Sequence, residues 1–171
     1  MITFQKIRWK NFLSTGDHWS EIDFLGHTTN LVVGTNGSGK STMLDALTFS
    51  LFNKPFRKIN KSQLINATNE KDCVVEVEFT VNNKDYLVRR SIKPNKFDIE
   101  VNGTLLHKES DDRLNQKILE ENILKVNYKS FTQIVILGSS SFVPFMQLST
   151  SNRRDVIEDL LDIRIFSAMN S

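Results

Sequence analysis

Residues 34 to 41 read Gly34-Thr35-Asn36-Gly37-Ser38-Gly39-Lys40-Ser41, and this run confines the chain to a narrow set of folds. A glycine-rich loop ending in Lys-Ser can cradle phosphates when a strand fixes its root and a helix leaves it, because the helix N-terminus then aims backbone N–H groups at negative charge. Both neighbours are legible. Asn30-Leu31-Val32-Val33 enters as an apolar run, and Met43-Leu44-Asp45-Ala46-Leu47 leaves with helical spacing. The expected site spans Gly34, Thr35, Asn36, Gly37, Ser38, Gly39, Lys40, Ser41 and Thr42, and its ligand is a nucleoside triphosphate. The glycines let the backbone fold around the phosphates. Lys40 neutralises the β and γ phosphates, and the Ser41 hydroxyl meets a bridging magnesium ion.

Hydrolysis at such a loop needs a second motif, four apolar residues and then Asp, often followed by a Glu that activates water. The best apolar run, Ile134-Val135-Ile136-Leu137, ends in Gly138 where the Asp belongs. Val74-Val75 leads into Glu76, but Val75, Val77, Phe79 and Val81 alternate with Glu76, Glu78 and Thr80. That pattern describes a half-exposed strand and puts Glu76 at the surface. A phosphate cradle without its hydrolytic half implies that the remainder comes from elsewhere.

With 171 residues and 39% hydrophobic content, the chain supports one compact domain of one or two lobes. A formal charge of +2 is too small to indicate nucleic-acid binding, so any such role rests on local patches. The single cysteine, Cys73, excludes an internal disulfide, fits a reducing compartment and reads as a small core residue. No apolar stretch reaches membrane-spanning length, and Met1-Ile2-Thr3-Phe4-Gln5-Lys6 lacks signal-peptide architecture. The expectation is a soluble protein of the cytoplasm, without a membrane partner.

The rest of the chain reads as α/β with an antiparallel insertion. Strands are expected over 2–12, 19–24 and 31–33, and then a helix over 40–52, apolar on most faces and stopped by Pro55. Two hairpins follow. Residues 74–81 turn at Asn82-Asn83 into 86–92, and 97–101 turn at Asn102-Gly103. A helix over 111–124 and a short buried strand over 134–137 come next. From Ser151, Val156, Ile157, Leu160, Leu161, Ile163 and Phe166 form a final apolar stripe. That stripe suits either a helix packed on the domain or the root of a longer one.

Several of these segments together carry a resemblance. Ile7-Arg8-Trp9-Lys10-Asn11-Phe12, the loop through Thr42 with Leu44-Asp45-Ala46, and Leu64-Ile65-Asn66 resemble the N-terminal half of an SMC-type, SbcC-like ABC ATPase head. Phe131 to Leu137, Phe142 to Phe145 and Arg153-Arg154-Asp155 to Leu161 extend the likeness, which is strongest to the recombination endonuclease ATPase subunits of tailed bacteriophages. The resemblance implies a P-loop NTPase lobe with an antiparallel β-subdomain over 1–150 and the start of a coiled-coil helix over 151–171. It further implies ATP and Mg2+ as cofactors, a separate C-terminal half with the signature motif and catalytic carboxylates, and a second copy in an ATP-dependent head dimer. A metal-dependent nuclease subunit and double-stranded DNA are the implied partners, in host-cell cytoplasm if the chain is phage-encoded.

Three site assignments follow from the likeness. Asn36 is placed near the γ-phosphate, beside the alternative that it only tolerates a left-handed turn. Relatives usually carry a Gln after the strand near Leu137, where this chain has Ser139. Ser139 therefore joins Ser41 as a magnesium candidate, with Ser141 and Gln133 as alternatives. Ser14 and Thr15 stand where relatives approach the phosphates or base, with Leu13 at a commonly basic position. For DNA the candidates are Lys54, Arg57, Lys58 and Lys61, with Lys93 and Lys96 in the antiparallel lobe; a solvated basic loop is the competing account. Two other functional classes share the phosphate loop, the ATP-binding subunit of a membrane transporter and a stand-alone P-loop kinase or GTPase.

Overall fold

The computed structural model describes residues 2–27, 29–106, 112–136 and 145–161. The chain divides into two compact units, 1–115 and 116–171. In the first, β1 (Ile2–Lys10), β2 (Ser20–Asp23), β3 (Cys73–Val81), β4 (Lys84–Ile92), β5 (Lys96–Val101) and β6 (Thr104–Leu105) form one sheet in the order β2-β1-β3-β4-β5-β6. Every neighbouring pair is antiparallel. The antiparallel portion is thus no insertion, because β1 and β2 belong to it. Asn82 and Asn83 have φ of 48° and 62°, and Asn102 and Gly103 have φ of 50° and 77°. Left-handed backbone at both central positions matches the right-handed twist of the flanking strands.

The helix α1 (Thr42–Phe52) packs on β1, β3 and β4. Phe49 and Leu51 are fully buried, as are Ile7, Val75, Val77, Phe79 and Val88 of the sheet. Each large apolar side chain removed from water in this way stabilises the fold by about 1.5–3 kcal/mol. Polar helix residues are buried too, and their hydroxyls turn back on the backbone, Thr48 donating to the Leu44 carbonyl and Ser50 to that of Leu47. Arg90 of β4 donates from Nε to the Ser50 carbonyl at 3.0 Å, with its guanidinium 3.7 Å from the Phe97 ring centroid. The helix stops at Asn53, left-handed at φ 57° with its N–H on the Phe49 carbonyl. Pro55 is therefore not the stop signal. Cys73 is buried, and desolvation of its thiolate pushes the thiol pKa up to about 12, as the core reading expects.

The sheet's other face corrects the reading of Glu76. Arg8 lies opposite Glu21 and Glu76, Glu76 opposite Arg89, and Arg89 opposite Asp98, so charges alternate in sign across five strands. Glu76 is only 3% exposed, with one carboxylate oxygen on Arg8 Nε and the other on Arg89 Nε. Alternation in β3 identifies the face, but the long arginine side chains of β1 and β4 cover it. Trp19 stacks on the Arg8 guanidinium at 4.6 Å.

Two expected strands are absent. Residues 31–33 form no strand, and Leu31 and Val33 are 87% and 81% exposed. An apolar run becomes a strand only by pairing, and the described sheet offers it no neighbour. Residues 134–136 are not a strand either, because α3 spans Tyr128–Ile134. Asn127 caps it by accepting from the Ser130 N–H at 2.9 Å. Short apolar runs do not distinguish strand from helix, and here the local cap decides.

The helix α2 (Asp112–Lys117) begins in the first unit and continues into a π-helical stretch of the second, Ile118–Leu124, within the span where a helix is expected. The helix α4 (Thr150–Leu161) is tied to α3 through Lys129, which reaches Asp155 at 3.5 Å and also Asn152. No helix among the described residues is long and apolar enough to cross a membrane.

Candidate functional site

The segment from 34 to 42 closes on itself as its composition demands. A Cβ built on Gly34 would meet the Ser38 hydroxyl, so a side chain there would have to turn the Ser38 side chain aside. Gly37 and Gly39 take φ of 86° and 94°, a region L side chains avoid. Lys40 Nζ donates to the carbonyls of Gly34 at 2.6 Å and Thr35 at 2.8 Å, pulling the start of the loop over its end. Ser41 occupies the N-cap of α1, yet its hydroxyl caps no helix amide and remains unused by the helix.

These residues open on a cavity of about 500 Å³, with Asn36, Gly37, Gly39, Lys40, Ser41 and Thr42 on one part of its wall. Gly34, Thr35 and Ser38 shape the loop from outside that wall. The left-handed positions here are Gly37 and Gly39, so Asn36 is not present to supply a left-handed turn.

The remaining wall comes from distant segments, with Leu13 and Ser14 from the turn after β1, and Arg57, Gln63, Ile65 and Ala67 from beyond α1. A bridge between Phe12 and Ile65 joins the two segments. Ser14 is thereby brought to the site. Thr15 is not among the lining residues, and its hydroxyl accepts from Trp9 Nε1 at 3.0 Å. Sequence reasoning missed Gln63 and Ala67. No local signal marks them, because only the folding of two loops together puts them there.

Arg57 is the main difference from expectation. Its backbone N–H and Nε donate to the two carboxylate oxygens of Asp45, at 2.9 and 2.6 Å. Asp45 is fully buried in α1, so a charge-assisted pair ties the loop after the helix to the helix itself. Arg57 lines the cavity with its Nε and one terminal guanidinium nitrogen engaged by Asp45, rather than standing free for DNA. Lys54, Arg57, Lys58 and Lys61 are all exposed. The Lys61 ammonium lies 5.8 Å from the Phe49 ring centroid, and its pKa is lowered by burial and by Arg90, partly offset by Asp112. The four cations therefore form no uniform patch.

Ser139 and Ser141 lie outside the described residues. Gln133 is on α3, with its side-chain carbonyl oxygen buried and without a protein partner. Among the described residues no group of His, Cys, Asp and Glu is arranged to hold a metal ion. On the described part of the cavity wall, the Ser41 hydroxyl is available to a metal ion.

Residues 6–165 match the AAA domain family. The chain is 42% identical over 165 residues to exonuclease subunit 2 of Enterobacteria phage T4 and equally to that of Escherichia phage RB69, covering 96% of this chain in each case. It is 32% identical to the DNA double-strand break repair Rad50 ATPase of Methanococcus maripaludis, over 93% of its length. The chain spans 29% of the length of the phage relatives and 16% of the Rad50 relative. Among solved structures, the Smc head domain of Pyrococcus furiosus with an extended coiled coil superposes with a TM-score of 0.66 at 22% identity, covering 99% of this chain and 44% of that one. A structure from work on ATP-driven dimerization of SMC ATPases gives 0.61 at 23%, covering 92% and 99%. The fold is that of an SMC-type head lobe.

Proposed function

From the premise that this chain belongs to the AAA domain family, we propose that it is the ATP-binding half of a DNA-break repair and recombination ATPase head that works with a nuclease subunit. The observation that carries this reading is the closed cradle, in which Gly37 and Gly39 take left-handed backbone and Lys40 grips the loop's first carbonyls. Gly37, Gly39 and the start of α1 would hold the phosphates, Lys40 would neutralise them, and the free Ser41 hydroxyl would meet Mg2+. The bound nucleotide supplies the phosphoanhydride chemistry and the charge that draws those groups together. Ser139 is retained as a second magnesium candidate, and 151–171 as the start of the coiled coil.

Exposure of Leu31 and Val33 supports a split head. Their apolar side chains and unpaired backbone suit strands contributed by a C-terminal half, which would also bring the catalytic carboxylates. Asn36, on the cavity wall, suits a contact across a dimer of heads. ATP would drive such a dimer only by binding the closed arrangement more tightly than the open one. The test is turnover: residues 1–171 alone should hydrolyse ATP negligibly, and the full-length protein should hydrolyse it in a Lys40-dependent way. Equal rates for the two, both abolished by Lys40→Ala, would reject the split head.

Double-stranded DNA is the proposed substrate surface, with the exposed Lys54, Arg57, Lys58 and Lys61 as its contacts and the two lysines Lys54 and Lys58 as the pair to test. Phosphate contacts position a duplex without reading its sequence. Removing both lysines should weaken binding and flatten the dependence of log affinity on log salt by about two units, one per lost contact. A salt series on the ATP-bound full-length protein decides this, and identical slopes would return these residues to a solvated loop.

A further inference from the structure

Leu13 lies in the left-handed region, at φ 53°. A branched side chain crowds its own backbone there, where glycine or asparagine sits at less cost. The conformation is held by a segment far along the chain. The Leu13 N–H donates to the Leu64 carbonyl at 2.7 Å, and its carbonyl accepts from Nδ2 of Asn66, 53 residues away, at 3.0 Å.

Asn66 is 9% exposed, and each of its side-chain polar atoms is engaged. Its Oδ1 accepts from the backbone N–H groups of Thr68 at 3.0 Å and Asn69 at 3.1 Å, while its own N–H donates to the Asn11 carbonyl at 2.9 Å. Two backbone donors on one side and a carbonyl acceptor on the other leave a single workable orientation for the amide. Asn11, left-handed at φ 49° and 1% exposed, is gripped in turn by Asn69 Nδ2 at 2.6 Å. Strained backbone of this kind persists only where the surroundings over-determine it.

The strained residue is also a wall of the cavity. Leu13, Ser14, Ile65 and Ala67 line it together with the phosphate loop, and none of these four carries a charge. Such a wall suits the nucleoside end of a ligand whose phosphates are taken by Gly37, Gly39 and Lys40. We propose that Asn66 is a positioning residue for the nucleotide. It clamps Leu13 in its strained conformation, so that residues 13–14 and 65–67 form one preshaped surface for the nucleoside. This rests on the reading of the cavity as an ATP site.

The test is Asn66→Asp in the full-length protein, with binding of ATP and of inorganic triphosphate measured by calorimetry. The carboxylate keeps the acceptor for Thr68 and Asn69 but sets an oxygen against the Leu13 carbonyl. ATP affinity should fall about tenfold, the equivalent of one buried carbonyl left unpaired. Inorganic triphosphate affinity should stay within about twofold, because the phosphate loop is untouched. If Asn66→Asp does not fold, Asn66→Ser is read in the same way, since it can cap the turn but is too short to reach Leu13. Unchanged ATP affinity overturns the clamp, and so does an equal loss for both ligands, which would mark general damage to the site. A wild-type protein that binds triphosphate but gains nothing from the nucleoside also overturns it. Failure of the wild type to bind either ligand would instead reject the ATP site beneath it.

Discussion

Lys40→Ala is expected to lower the ATP affinity of the full-length protein by about two orders of magnitude. Hydrogen bonds to a charged group contribute about 1.5–3 kcal/mol, and about 1.4 kcal/mol corresponds to each factor of ten. Lys40 stands to lose more than its contact with the ligand, because its ammonium also holds the Gly34 and Thr35 carbonyls. Without it the loop would have to be closed by the ligand alone. Calorimetric titration with ATP measures the loss, and an unchanged circular dichroism spectrum excludes misfolding as the cause. Wild-type affinity in a folded Lys40→Ala protein would remove the cavity from consideration as a nucleotide site.

Phe49→Ala has the largest expected effect on stability, about 3–5 kcal/mol as for other buried phenylalanines cut back to alanine. The ring is fully buried in α1, 5.9 Å from the Phe12 ring by centroids, and it lies beneath the Lys61 ammonium. It therefore joins the phosphate-loop helix to the end of β1 and to the segment beyond α1. Hydrogen exchange of the α1 amides is a local measure that does not require the whole protein to unfold in one step. Protection should drop about a hundredfold or more, whereas Phe49→Leu should lose much less. A drop of less than about tenfold for alanine would mean that α1 is anchored mainly by other contacts.

Much of the architecture was legible because it is decided over short stretches of chain. Asn82-Asn83 and Asn102-Gly103 specify hairpins through residues that accept left-handed backbone. The dense apolar content of 43–52 predicts a helix buried against a sheet, and α1 is one. Errors arose where an apolar run had no local punctuation. Leu31-Val32-Val33 reads as a strand but finds no neighbour among the described residues, and Ile134 ends a helix that Asn127 caps. Residues 107–111 and 137–144, Ser139 among them, lie outside what the structure describes.

The sequence by itself determined the phosphate loop, the helix leaving it and the hairpins, and its motifs pointed to the family. Each of these depends on backbone preferences within a few residues: glycine at φ near 90°, side chains repeating at the helical period, asparagine in a tight turn. Tertiary structure alone decided that Glu76 is covered by Arg8 and Arg89, that Arg57 is bound to Asp45, and that Leu13 is held by Asn66. Those outcomes depend on pairs 12 to 68 residues apart. A side chain's charge and length are written in the sequence, but the partner that neutralises it is chosen only when the sheet register and the loop crossings bring two segments within hydrogen-bonding distance.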